Sequence, residues 1–149
     1  KKTALAELEK LYKGTKPALL YNNPYELLVA VILSAQCTDA RVNIVTRDLF
    51  KKYQCVEDFA KADLKELEQD IHSTGFYHNK AVNIIGCCKR LMEVHGGEVP
   101  SGLEELTALP GVGRKTANLL LGDIYAVPGS VVCDTHCIRI CGKFSLLYQ

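Results

Sequence analysis

Nine residues late in the chain carry the most chemical content: Leu109-Pro110-Gly111-Val112-Gly113-Arg114-Lys115-Thr116-Ala117. Two glycines flank one small apolar residue, between a helix that ends and a helix that begins. Glycine at both positions opens backbone conformations closed to other residues and leaves no side chain to hold a partner off. Val112 can tuck inward while the neighbouring N–H groups face out at a helix N-terminus. Such an end combines unpaired donors with partial positive charge, which suits a phosphate. Arg114 and Lys115 add formal charge at the same place. Gly-rich turns also join ordinary helical hairpins, but the flanking Leu-Pro and Arg-Lys-Thr-Ala favour phosphate binding, of a kind that reads backbone rather than base sequence.

Two residues near this hairpin could do covalent chemistry. Lys115 lies in the first turn of the second helix, where the positive helix end disfavours a charged ammonium and partial burial would add to the effect. It is therefore a candidate amine nucleophile; the alternative is a lysine that only contacts phosphate. Asp134 ends the stretch Val131-Val132-Cys133-Asp134 and precedes a helical pattern. It suits a helix N-cap, and an ionised carboxylate there can also stabilise positive charge at a sugar C1′. His136 reads as a packing or hydrogen-bonding residue.

The elements that must position these groups are helical almost throughout. Thr3 can cap a first helix with Leu5, Leu8, Leu11 and Tyr12 on one face, ended by residues 14–17. Asn23-Pro24-Tyr25-Glu26 combines an N-cap, a first-turn proline and a capping-box glutamate. The run 27–33 is apolar on all sides, which predicts a central buried helix. Thr38 or Asp39 starts the next helix, reaching about Tyr53 with Val42, Val45, Leu49 and Phe50 inward. Asp58 and Asp63 suit two short helical turns, and Gly75 precedes a long helix over about 77–94 that stops at Gly96-Gly97. Ser101 starts a short helix through Leu106. Only Val131-Val132 looks extended, so the predicted class is all-α with about eight or nine helices.

Composition agrees. The 149 residues are 48% hydrophobic and 23% charged, which excludes a disordered tail and suits one compact domain. No apolar run approaches the ~18 residues of a membrane span, and the start Lys1-Lys2-Thr3 lacks the apolar core of a signal peptide. The first residue is not Met, so a trimmed N-terminus is expected. Seven cysteines, an odd number without a signal peptide, argue for a reducing, intracellular compartment. The net charge of +1 conceals a division: nine basic and five acidic side chains in 1–52, five and ten in 53–110, four and two in 111–149. Two basic ends around an acidic middle permit a nucleic-acid face, although charge runs are also plain solvated surface.

Taken in order over nearly the whole chain, these motifs resemble the endonuclease III family, base-excision-repair DNA glycosylases with associated abasic-site lyase activity. The matching residues are Pro24-Tyr25-Glu26-Leu27-Leu28-Val29-Ala30, Leu33-Ser34-Ala35-Gln36-Cys37-Thr38-Asp39, Gly75-Phe76-Tyr77-His78-Asn79-Lys80-Ala81 and Gly97-Glu98-Val99-Pro100. Residues 109–118 and Val132-Cys133-Asp134-Thr135-His136 complete the set.

The resemblance implies a helix-hairpin-helix DNA glycosylase fold, a six-helix domain beside a second, here incomplete, helical domain. On that plan 1–20 contribute an N-terminal helix to the second domain. Residues 21–127 form the six-helix domain with the hairpin at about 101–124, and 128–149 begin the truncated cluster domain. It implies damaged double-stranded DNA as partner, a monomer, and a cytoplasmic or nucleoid location. Lys115 falls on the family's Schiff-base lysine and Asp134 on its aspartate. Gly111, Val112, Gly113 and Arg114 fall on its DNA-gripping hairpin. Gln36 matches a glutamine that helps fill the gap left by a flipped nucleotide; a plain polar residue at a helix end is its alternative. Phe76 stands where the family places an apolar wedge, with burial in the core as its alternative.

The resemblance also implies oxidised or ring-damaged pyrimidines over mispaired adenine, because related adenine glycosylases that act without a covalent lysine carry a different residue where this chain has Lys115. A non-enzymatic helix-hairpin-helix DNA-binding module is the competing expectation. The family's [4Fe–4S] cluster uses four cysteines well beyond the Asp134 motif. Cys133, Cys137 and Cys141 lack a fourth ligand and read as small buried apolar residues, so no metal site is expected in this chain. The expectation is therefore a fragment of a longer enzyme, with a form lacking the cluster as the alternative; a fragment would be less stable than its parent and weak or inactive on DNA.

Overall fold

A computed structural model describes residues 6, 7, 10, 11, 18–125, 139, 142 and 143. Among them every regular element is helical. Helix α1, Pro24–Ser34, starts where the side chain of Asn23 accepts a hydrogen bond from the Glu26 N–H at 3.0 Å, with proline in the first turn. The Glu26 carboxylate reaches back to the N–H of Asn22 at 2.7 Å, one residue before the cap rather than at the cap itself. Leu27, Leu28, Val29, Ala30, Ile32 and Leu33 are all buried. A helix apolar on every side must be surrounded, and α1 packs against three others.

Thr38 caps α2, Asp39–Lys52, accepting from the Arg41 N–H at 3.3 Å. Val42 and Leu49 are buried and Val45 and Phe50 partly so. Helix α3, Val56–Ala60, starts at Cys55 and not at Asp58, whose carboxylate instead accepts from the Gln54 N–H at 2.9 Å. Asp63 caps α4, Leu64–Ile71, as expected. Fully buried Phe59 centres this half, stacked on Tyr53 at 4.8 Å and edge-on to Tyr25 and Phe50 at 6.4 Å.

A short 3₁₀ turn, His72–Thr74, leads through Gly75 and Phe76 into α5, Tyr77–Val94, the longest helix described. Its inner face, with Ala81, Ile84, Cys87, Cys88 and Leu91, packs on α3, α4 and α1. Helix α6, Leu103–Thr107, takes Gly102 rather than Ser101 as its N-cap, so no side chain caps it. It pairs with α7, Arg114–Asp123, to form the predicted hairpin. Of the first predicted helix, residues 6, 7, 10 and 11 are helical and Leu11 is exposed. Thr3, Leu5, Leu8 and Tyr12 lie outside the described residues, as do Val131-Val132, Asp134 and His136.

Candidate functional site

The hairpin turn is anchored from below. Leu106, Ala117 and Leu120 are fully buried, Leu109 and Val112 nearly so, and the Val112 N–H donates to the Leu109 carbonyl at 3.2 Å. Val112 thus points inward as expected, leaving only its backbone for a partner. The turn sits on α5: a Cβ placed on Gly86 would lie 3.4 Å from Pro110 Cγ. A Cβ on Gly111, where φ is +75°, would stand 2.8 Å from Asn83 Cβ, closer than real Cβ contacts come. Gly111 therefore answers both to a left-handed backbone and to close approach.

Gly113 differs from expectation. Its φ of −87° and ψ of 176° are extended backbone that any residue adopts, and a Cβ there would meet nothing within 4 Å. It is the N-cap of α7 with no side chain to cap it. The first α7 hydrogen bond runs from the Ala117 N–H to the Gly113 carbonyl at 2.9 Å, so the N–H groups ahead of it are left for an outside acceptor. Arg114 and Lys115 are exposed beside them. Two formal charges, uncapped N–H donors and a helix dipole thus meet at one accessible point. The partial burial expected of Lys115 is not found.

Gln36, Phe76 and Gly111, which are far apart in sequence, line a single cleft of about 250 Å³, joined by Thr116 next to Lys115. Gln36 (φ +51°) and Phe76 (φ +47°) are the non-glycine residues with positive φ among those described. Each conformation costs about 1–2 kcal/mol for an L-residue. Gln36 stands two residues past α1, a position that glycine or asparagine usually fills. Phe76 is the N-cap of α5, where a polar residue in extended backbone is preferred. It is 63% exposed, which rules out the alternative of core burial. Strained, exposed side chains where local stability asks for others are a signature of function. A larger hollow of about 480 Å³ along α1 and α2, lined in part by Tyr21, Asn43 and Arg47, holds none of the predicted residues.

Asn79, Lys80 and Asn83 also line this cleft, and sequence reasoning gave none of them a role. Lys80 is 4% exposed, and its Nζ donates to the carbonyls of Leu33 and Thr74, both at 2.9 Å. Burial pushes its ammonium below the usual lysine range. The signal was present, since residue 80 falls in register with the apolar positions 84, 87 and 91 of its helix. A lysine on such a stripe needs a reason.

Asp134, Cys133, Cys137 and Cys141 lie outside the described residues. Among the described residues no three His, Cys, Asp or Glu converge as metal ligands. Cys37, Cys55, Cys87 and Cys88 are free, and burial pushes the Cys87 thiol up to about 12 and Cys88 higher still. These groups do not fit an iron–sulfur centre, whose ligands are thiolates. No helix among the described residues is long and apolar enough to cross a membrane.

The family model for HhH-GPD superfamily base excision DNA repair proteins matches residues 29–148. An endonuclease III of Synechocystis sp. is 50% identical over 139 residues, 93% of this chain and 64% of the relative. The chain thus spans somewhat under two thirds of that relative's length. A solved non-covalent endonuclease III–DNA complex superposes with a TM-score of 0.90 at 46% identity, over 99% of this chain and 68% of the other. A trapped endonuclease III–DNA covalent intermediate, an estranged-adenine complex, superposes at 0.89 with the same identity and coverage.

Proposed function

Because the chain belongs to the endonuclease III family of the HhH-GPD superfamily, we propose that it serves a base-excision-repair DNA glycosylase with abasic-site lyase activity. Its substrate on this reading is duplex DNA carrying an oxidised or ring-damaged pyrimidine. The observation that carries the reading is the adjacency of two surfaces. The uncapped N-terminus of α7, with Arg114 and Lys115, suits a backbone phosphate. The cleft beside it carries Gln36 and Phe76 in strained, outward conformations. One surface holds a strand and the other offers a wedge and a polar side chain for the space left by an extruded nucleotide.

In the proposed reaction the Lys115 amine, freed of its ammonium proton, attacks C1′ of the flipped nucleotide. The C1′–N bond breaks, the base leaves with a proton, and a Schiff base joins Lys115 to the opened sugar. Asp134 takes one proton from Lys115 and hands it to the departing base; ionised again, it offsets the positive charge on the sugar, while another amine proton moves to the ring oxygen as the ring opens. Loss of a C2′ proton then expels the 3′ phosphate by β-elimination, and water releases the lysine. The trapped covalent intermediate of a relative supports this route. The iron–sulfur cluster of the full-length family belongs to residues other than those described, and no step here depends on it.

A plain DNA-gripping module would explain Gly111, Gly113 and Arg114 but gives no account of Phe76 and Gln36. The two readings separate when the intact protein meets three end-labelled duplexes: undamaged, bearing one ring-saturated pyrimidine, or bearing an adenine mispair. The enzyme reading expects strand cleavage on the damaged pyrimidine alone. Binding without cleavage on all three would leave only the module, and cleavage at the adenine would reassign the substrate.

A further inference from the structure

Lys80 is the first-turn lysine of α5, buried on the face that otherwise carries apolar residues. Its two acceptors belong to chain segments forty-one residues apart. The Leu33 carbonyl is one of the last four of α1, which have no partner within their own helix. The Thr74 carbonyl belongs to the last residue of the 3₁₀ turn ahead of α5. Three residues after the first comes Gln36 and two residues after the second comes Phe76, both left-handed and both lining the same cleft. One ammonium therefore ties together the roots of the two strained loops.

An apolar side chain would fill this volume without the cost of burying a charge. What it could not do is hold two carbonyls at hydrogen-bond distance from one atom, with charge-assisted bonds at both. We propose that Lys80 is a positioning residue that sets Gln36 and Phe76 for joint entry into the DNA stack. The inference rests on the reading of those two side chains given above. Lys80 touches neither base nor sugar on this account. It fixes where α1 ends relative to where α5 begins, and so the spacing of the wedge from the side chain that fills the gap.

A double-mutant cycle in the intact protein tests this with a reporter that needs no chemistry. A duplex carries a tetrahydrofuran abasic analogue opposite 2-aminopurine, and the rise in fluorescence on mixing reads unstacking. Lys80→Met should slow that rise by about fivefold or more in the otherwise wild-type protein. In a Gln36→Ala/Phe76→Ala background the same change should alter the rate by less than about twofold. If Lys80→Met does not fold by circular dichroism, Lys80→Gln takes its place in the cycle. An equal factor in both backgrounds, or no slowing in a folded variant, overturns the proposal and leaves Lys80 a structural clamp. A wild-type protein that unstacks the reporter but releases no base from a separate duplex bearing a ring-saturated pyrimidine contradicts the proposed function while this positioning role stands.

Discussion

Replacing Gly113 by aspartate should make the protein more stable and a worse DNA binder. Gly113 already has the backbone of a helix N-cap, comparable with Asp63, whose carboxylate accepts the Glu66 N–H at 3.0 Å. Open space surrounds its missing Cβ, so no neighbour must move. The cap hydrogen bond adds a few tenths of a kcal/mol over glycine, and a negative charge at the helix N-terminus adds about 0.3–1 kcal/mol. A gain of about 0.5–1.5 kcal/mol corresponds to a rise in Tm of roughly 2–5 °C for a chain of this size. The new carboxylate would meanwhile occupy the N–H groups that phosphate needs and repel it. Losing charge-assisted bonds worth about 1.5–3 kcal/mol means at least about tenfold weaker binding. Anisotropy on undamaged duplex over a salt series should also show a slope lower by about 0.9 per lost phosphate contact. Calorimetry and anisotropy on one sample decide the matter. A fall in Tm would mean Gly113 is required for its conformation. Unchanged affinity would mean this helix end is not where the strand binds.

The neighbouring glycine should behave oppositely: Gly111→Ala combines a left-handed residue, about 1–2 kcal/mol, with a 2.8 Å approach to Asn83 Cβ, so thermal melting should fall by several degrees. A melt within a degree of wild type would show that this turn relaxes freely. Phe76→Gly relieves a strained, exposed residue, so stability should hold or rise by up to about 1 kcal/mol while strand cleavage at lesions drops. Loss of stability without loss of cleavage would make Phe76 structural. Brief alkylation at pH 8 followed by peptide mass mapping should find exposed Cys55 modified and Cys87 and Cys88 spared until the protein is unfolded, since burial denies both access and thiolate. Early labelling of Cys87 would contradict the packing of α5.

Helix starts were legible wherever a side chain does the capping, as at Asn23, Thr38 and Asp63. They were misplaced at α3 and α6, where Cys55 and Gly102 cap by backbone alone and the nearby polar residue only attracts attention. The hairpin could be read from its glycines, but composition cannot say which of two glycines bears the unusual backbone; φ does, and it singles out Gly111. The exposure of Phe76 and its meeting with Gln36 and Gly111 depend on α1, α5 and the hairpin closing on one another, a tertiary fact no local pattern encodes. Lys80 is the instructive omission. Its helical register sets it among buried residues, yet lysine is so commonly a solvent residue that residue type and register point opposite ways.

On the proposed function Lys115 forms a bond to the sugar, and borohydride trapping reads that bond directly. Intact protein is mixed with duplex bearing a ring-saturated pyrimidine, reduced, and resolved by denaturing electrophoresis. A covalent protein–DNA band is expected, whose modified peptide maps to Lys115 and which disappears in Lys115→Gln. An undiminished band in Lys115→Gln, or no band from a wild-type protein that cleaves the same duplex, would contradict it.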